Sequence, residues 1–181
     1  MMQVIPTVVQ QHVEETAHLR NVRSVQVRAP DVRLMNLGRL DERIVANLDG
    51  IAVAGSEGNA LCQQALESPA PGPLFAATVG ALEQRDMARL GALLDLAQAL
   101  PEARNGLLSA FGWVSPADLQ GITSALLEAQ QPWHVEVGLA ACELHGVDPQ
   151  AALDRALAAD DPARRRMLIR GNACNLLILG I

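Results

Sequence analysis

The amino-acid sequence predicts an all-helical protein, and three observations carry that expectation. Aromatic residues make up only 2% of the 181 residues, and tyrosine is absent. Half of the chain is apolar, so its core must be built from Leu, Ala, Val and Ile. Ala and Leu lead the helix propensities, whereas strands favour aromatic and β-branched side chains. Apolar residues also recur at spacings of three and four, and successive segments open with proline. The length suits one domain of ordinary size.

The first helix is expected from Ile5 to about Arg23. Pro6 suits a first turn, and Val8, Val9, His12, Val13, Thr16 and Leu19 fall on or near one stripe. Gln10, Gln11, Glu14, Glu15 and Arg20 form the polar face. Ser24 to Arg28 alternates and is taken as helix end and loop, with a lone strand as the alternative. A second helix spans about Asn36 to Val53, where Leu37, Leu40, Ile44, Leu48 and Ile51 keep the helical period. A third follows Ser56 and carries Ala60, Leu61, Ala65 and Leu66.

Ser68-Pro-Ala-Pro-Gly-Pro73 is read as a non-helical linker, because three prolines in five residues disfavour both helix and central strand. It divides a single domain, 1–181, into an N-terminal helical unit, 1–67, and a regular array, 74–181. Helices are expected near 73–84, 86–100, 102–111, 116–130, 132–145, 149–159 and 162–178. Ser115-Pro116, Asp148-Pro149 and Asp161-Pro162 each place a cap before an N1 proline. Short connections make neighbours antiparallel hairpins. Pairs of about thirty residues then predict a HEAT-like α-solenoid, with a compact bundle as the alternative packing.

Charge and cysteine usage exclude several function classes. The net charge is −6, and all 14 basic residues are Arg. An acidic chain lacks the field of a nucleic-acid binder, and scarce aromatics leave no stacking platform for single strands. Cys62, Cys142 and Cys174 are odd in number and far apart, which fits neither a disulfide framework nor a zinc pattern. Reduced thiols, no basic leader segment and no apolar run of membrane-spanning length together predict a cytoplasmic location without membrane contact.

Each candidate chemistry is incomplete. His12, Glu15 and His18 resemble one half of a Glu-x-x-His di-metal site, but no second copy exists. His134 and His145 share one helix about 16 Å apart, too far for one metal. Cys142 and His145 have the spacing of a nucleophile pair, yet nothing supplies a third group or an oxyanion hole. Asp41, Glu42 and Asp49 surround Arg43 and read as a solvated, salt-bridging face. Arg164, Arg165, Arg166 and Arg170 lie among Asp154, Asp160 and Asp161 and read as an electrostatic ladder between repeats. No catalytic, metal-binding or cofactor-binding residue is therefore expected, and the protein is expected not to be an enzyme.

Partner binding leaves more traces. Trp113 ends a helix and is expected in the core. Trp133 follows Gln131-Pro132 at a helix start and is an interface candidate, with packing under a neighbouring loop as the alternative; Glu136, Glu143, Asp41 and Glu42 are further interface candidates. Leu176, Leu177, Ile178 and Leu179 form a bare apolar run, expected to be buried on the last repeat or against another subunit, as in a homodimer, with truncation as the alternative.

Several ordered motifs carry a family resemblance: Gln11-His-Val-Glu-Glu15 with Leu19, Arg23 and Ala29-Pro30; Leu40-Asp-Glu-Arg43; Ala46-Asn-Leu-Asp-Gly50; Val53-Ala-Gly55; Gly112-Trp-Val114; and Gly138-Leu-Ala-Ala-Cys142 followed by His145 and Asp148-Pro149. From about residue 5 to about 170 the chain resembles an uncharacterised proteobacterial family of HEAT-like helical-repeat proteins, as a short, N-terminal version. Family members often carry His at the position of Asn47 and Trp at that of Arg20. The resemblance implies a gene beside those of type VI secretion effectors, and a cytoplasmic accessory to a secreted toxin. The expected function is a non-enzymatic immunity protein that binds and neutralises a cognate effector, with a nuclease toxin as the expected class. The alternatives are an adaptor or co-chaperone that loads the effector on the secretion spike, and a general helical-repeat scaffold.

Overall fold

The computed structural model describes residues 4–149, together with residue 154. Among the described residues the chain is all-helical. The helices are α1 (Pro6–Gln26), α2 (Leu34–Val53), α3 (Ser56–Ala65), α4 (Pro71–Glu83), α5 (Met87–Ala99), α6 (Arg104–Trp113), α7 (Ile122–Leu127) and α8 (Pro132–Leu144). A short 3₁₀ turn, Pro101–Ala103, joins α5 to α6. The expected helices 149–159 and 162–178 lie outside the described residues. So do the Arg164–Arg166 cluster and the apolar run Leu176, Leu177, Ile178 and Leu179.

The helices pack as a helical-repeat fold. α1, α4, α6 and α8 touch in succession, while α2 and α3 pack on α1, α5 on α4 and α6, and α7 on α8. One apolar cluster runs from Val13 on α1 to Ala141 on α8. Its largest members are Trp133, Phe75 and Phe111, with Leu, Val, Ile and Ala filling the remainder. Few aromatic rings and many Ala side chains allow close helix approach at native packing density.

α4 corrects the expected linker 68–73. Pro71 and Pro73 occupy its first turn. The first N–H groups of a helix have no partner within it, so prolines there forfeit nothing. α4 buries nine of its 13 residues and packs on both α1 and α6, so the core is continuous across the proline run. Its N-terminus is wedged between its neighbours. A Cβ on Gly72 would lie 2.5 Å from the Ala17 carbonyl oxygen, and one on Gly106 2.1 Å from that of Pro71. Only glycine permits these approaches.

Helix ends show where local chemistry overrides periodicity. α4 closes with Arg85 in the left-handed region (φ 53°). The Arg85 amide donates to Leu82 O and the Asp86 amide to Ala81 O, a Schellman closure. Asp86 then caps α5 by accepting from the Arg89 amide at 3.0 Å. The single helix expected over 116–130 is replaced by turns over 116–121 and the short α7. The Ser115 hydroxyl donates to Asp118 at 2.7 Å and closes one local turn. Gly121 then enters the left-handed region (φ 80°), which interrupts the helix before it can propagate. α1 also runs three residues further than expected, through Gln26, so the alternating 24–28 stretch is mainly helical.

Candidate protein-binding face

The sequence of α2 builds two unlike faces. Leu40, Ile44, Leu48 and Ile51 are buried against the core. On the opposite side, Met35, Glu42 and Asp49 repeat every seven residues and Arg39, Ala46 and Val53 interleave with them, all exposed. Val45 flanks this stripe, and Leu34 stands at its start with 86% of its surface open. Four of the large exposed apolar side chains among the described residues, Leu34, Met35, Val45 and Val53, therefore belong to this one helix. An apolar surface interleaved with carboxylates is the composition of a docking face. The acidic character extends beyond α2. The Glu83 carboxyl is pushed above its usual range by burial and by the like charges of Asp118 and Asp49.

α2 is held in place by polar contacts to α1. Arg23 grips Asp41 with two bonds, Nε to Oδ1 at 2.6 Å and Nη2 to Oδ2 at 3.3 Å. Arg43 pairs with Glu15. His12 Nδ1 donates to Asn47 Oδ1 at 2.8 Å. Asp41 is thus paired within the chain while 34% of its side chain stays open, which fits the salt-bridging reading of this face. Glu42 remains outward.

Trp133 is removed from the interface candidates and takes the packed alternative. It is only 3% exposed, its Nε1 donates to Leu94 O at 3.0 Å, and the Arg104 guanidinium lies 4.5 Å from its ring centroid. Pro132 places Trp133 at the start of α8, where the core already extends, so its indole finds both an apolar pocket and a carbonyl. Trp113 packs edge-on to Phe75 at 5.6 Å, as expected of a core residue. Glu136 and Glu143 lie half-buried on α8. Burial pushes the Glu136 carboxyl up, against the opposing effect of Arg104.

The structure does not assemble the candidate chemistries. His12 turns to Asn47 and Glu15 to Arg43, while His18 is exposed. His145 Nε2 donates to Phe111 O at 2.8 Å. The Cys142 thiol is pushed up by burial and by Asp148, opposite to the direction that activates a nucleophile. Burial likewise pushes the Cys62 thiol up to about 11. Among the described residues no group of three or more His, Cys, Asp or Glu side chains could hold a metal ion, and no helix is long and apolar enough to cross a membrane.

Arg20 is the residue the sequence reasoning missed. Assigned to the polar face, it is 94% buried, because its spacing continues the stripe Val9, Val13, Thr16. Its guanidinium donates to Asn21 Oδ1, to Asn105 O at 2.6 Å and to Ser109 Oγ at 2.5 Å. Burial, with the like charges of Arg28 and Arg23, pushes its pKa down to about 10. The period was the available signal, and the charge of the residue masked it.

No protein-family model, curated protein or solved structure matches the chain.

Proposed function

We propose that this protein is a non-catalytic binding module that uses the outer face of α2 to hold a basic protein partner. The partner in this reading is a toxin secreted by a type VI system, which the module neutralises as an immunity protein. The carrying observation is the exposed stripe of Met35, Glu42, Val45, Asp49 and Val53 on a helix anchored from behind. The resemblance of the ordered motifs to a family encoded beside type VI effectors supports the identity of the partner. Apolar residues at the centre of such a face supply affinity, and the surrounding carboxylates speed encounter with a basic surface. Neutralisation then follows from covering the toxin's substrate path or holding it in an inactive arrangement.

The test expresses the toxin domain of the neighbouring effector with and without this protein, scoring growth and co-purification together. Rescue with a stable complex, lost in the Glu42→Arg/Asp49→Arg double variant, is the expected result. A complex without rescue replaces immunity with effector loading. Neither rescue nor binding removes the toxin from the reading.

A further inference from the structure

We propose that the outer face of α2 pairs with the same face of a second copy of this chain, as an antiparallel two-helix seam across a two-fold axis near Ile44. The order of residues along the face carries the proposal. Met35, Arg39, Glu42, Ala46, Asp49 and Val53 are all exposed and follow one another at spacings of four, three, four, three and four. At about 100° per residue they fall within an arc of about 80° and run about 27 Å along the helix. Alternating threes and fours are the spacing of a coiled-coil seam. This spacing reads the same from either end. Its centre falls at Ile44, which is fully buried on the opposite side of the helix.

The side chains are complementary about that centre. Two such helices laid antiparallel set Met35 beside the partner's Val53, Arg39 beside the partner's Asp49, and Glu42 beside the partner's Ala46. Two-fold symmetry repeats each pair. The seam therefore ends in apolar contacts, carries an ion pair inside each end, and places the small Ala46 near its middle, where the helices must approach closely. The side chains of Arg39, Glu42 and Asp49 form no ion pair or hydrogen bond among the described residues. A parallel arrangement instead sets Arg39 against Arg39, Glu42 against Glu42 and Asp49 against Asp49, and facing like charges oppose it. The charges thus select an orientation and a register. Val45 flanks the seam and Leu34 extends it, both exposed and apolar. Only the two end layers are wholly apolar, so a reversible dimer with Kd of about micromolar order is expected. The face is the one assigned above to the basic partner, but the self-pairing does not rest on that assignment. The two occupants exclude each other, so partner binding draws on the monomer.

Sedimentation velocity of the whole chain over a range of concentrations tests this, in about 0.15 M sodium chloride to screen the repulsion between two copies of net charge −6. A reversible monomer–dimer equilibrium is the expected result. Arg39→Asp and Asp49→Arg, both at exposed positions, should each keep the helical circular dichroism. Each should weaken the dimer about tenfold or more, because it brings like charges together twice across the two-fold. The double variant Arg39→Asp/Asp49→Arg exchanges the pair and should restore the dimer to within about threefold of wild type. Glu14→Gln on α1 should leave it unchanged. A monomer at every concentration overturns the proposal. So does a dimer that neither single variant weakens, or one that the exchanged pair fails to restore. No toxin enters these measurements, so their failure is distinct from failure of the partner reading.

Discussion

α4 and α2 are built on opposite plans. α4 buries residues all round, carries no charge before its last residue, and begins where α1 and α6 approach to backbone contact. α2 buries one stripe and presents acids and apolar groups to solvent on the other. Among the described residues α4 offers little surface to a partner, and nothing covers Met35 and Val53 of α2. Stability and recognition are thus assigned to different helices, and substitutions should separate them.

The largest effect belongs to the interior. Phe75→Ala removes a fully buried ring that supports Trp113, and should cost about 3–5 kcal/mol in urea unfolding monitored by circular dichroism. Gly106→Ala places a methyl group against the Pro71 carbonyl, where backbone cannot yield cheaply. A loss of about 1–3 kcal/mol in the same assay is expected. If either variant is neutral, α4 is not the tightly packed centre described.

Thr16 lies on α1, between the two helices. It is fully buried, and its hydroxyl has no hydrogen-bond partner among the described residues. Thr16→Val keeps the shape and removes an unsatisfied polar atom, so a gain of about 1 kcal/mol is expected from the denaturation midpoint. Glu136 offers a pH-dependent version of the same argument. Its folded-state carboxyl is raised, so the native state binds more protons than the unfolded state and stability falls as pH rises through that range. Glu136→Gln should therefore stabilise more at pH 7 than at pH 4, measured by thermal unfolding at both. The smallest change in stability is expected on α2. Glu42→Gln should stay within about 0.5 kcal/mol of wild type while slowing partner association at low salt, read by stopped-flow mixing.

How far the sequence reached depended on which force dominated locally. α2 was legible because Leu40, Ile44, Leu48 and Ile51 obey the helical period without interference. The 116–130 segment was not, since the Ser115–Asp118 bond and the left-handed Gly121 act locally while periodicity averages over many residues. Pro71 illustrates the same limit from the other side. A residue that breaks helices in their interior starts one here, and only position relative to the first turn distinguishes the two. On α2 the outward position of Glu42 was legible from the helical period, whereas the pairing of Asp41 was not, because its partner Arg23 lies 18 residues away on another helix. The choice between packing and interface for Trp133 stayed open in the sequence for the related reason that Leu94, which receives its indole N–H, is 39 residues away.

The scarcity of aromatic side chains has a spectroscopic consequence. With no tyrosine, ultraviolet emission from the folded chain comes from Trp113 and Trp133. Trp113 lies beside Phe75 and lines a cavity of about 70 Å³ with Arg20 and Arg23, whereas Trp133 is enclosed beneath Arg104 with its N–H on Leu94. The fluorescence of a Trp133→Phe protein therefore reports on the surroundings of Arg20, and that of a Trp113→Phe protein on the junction of α5 and α8. Two single-tryptophan proteins would show by emission wavelength whether the two halves of the core melt together or in succession.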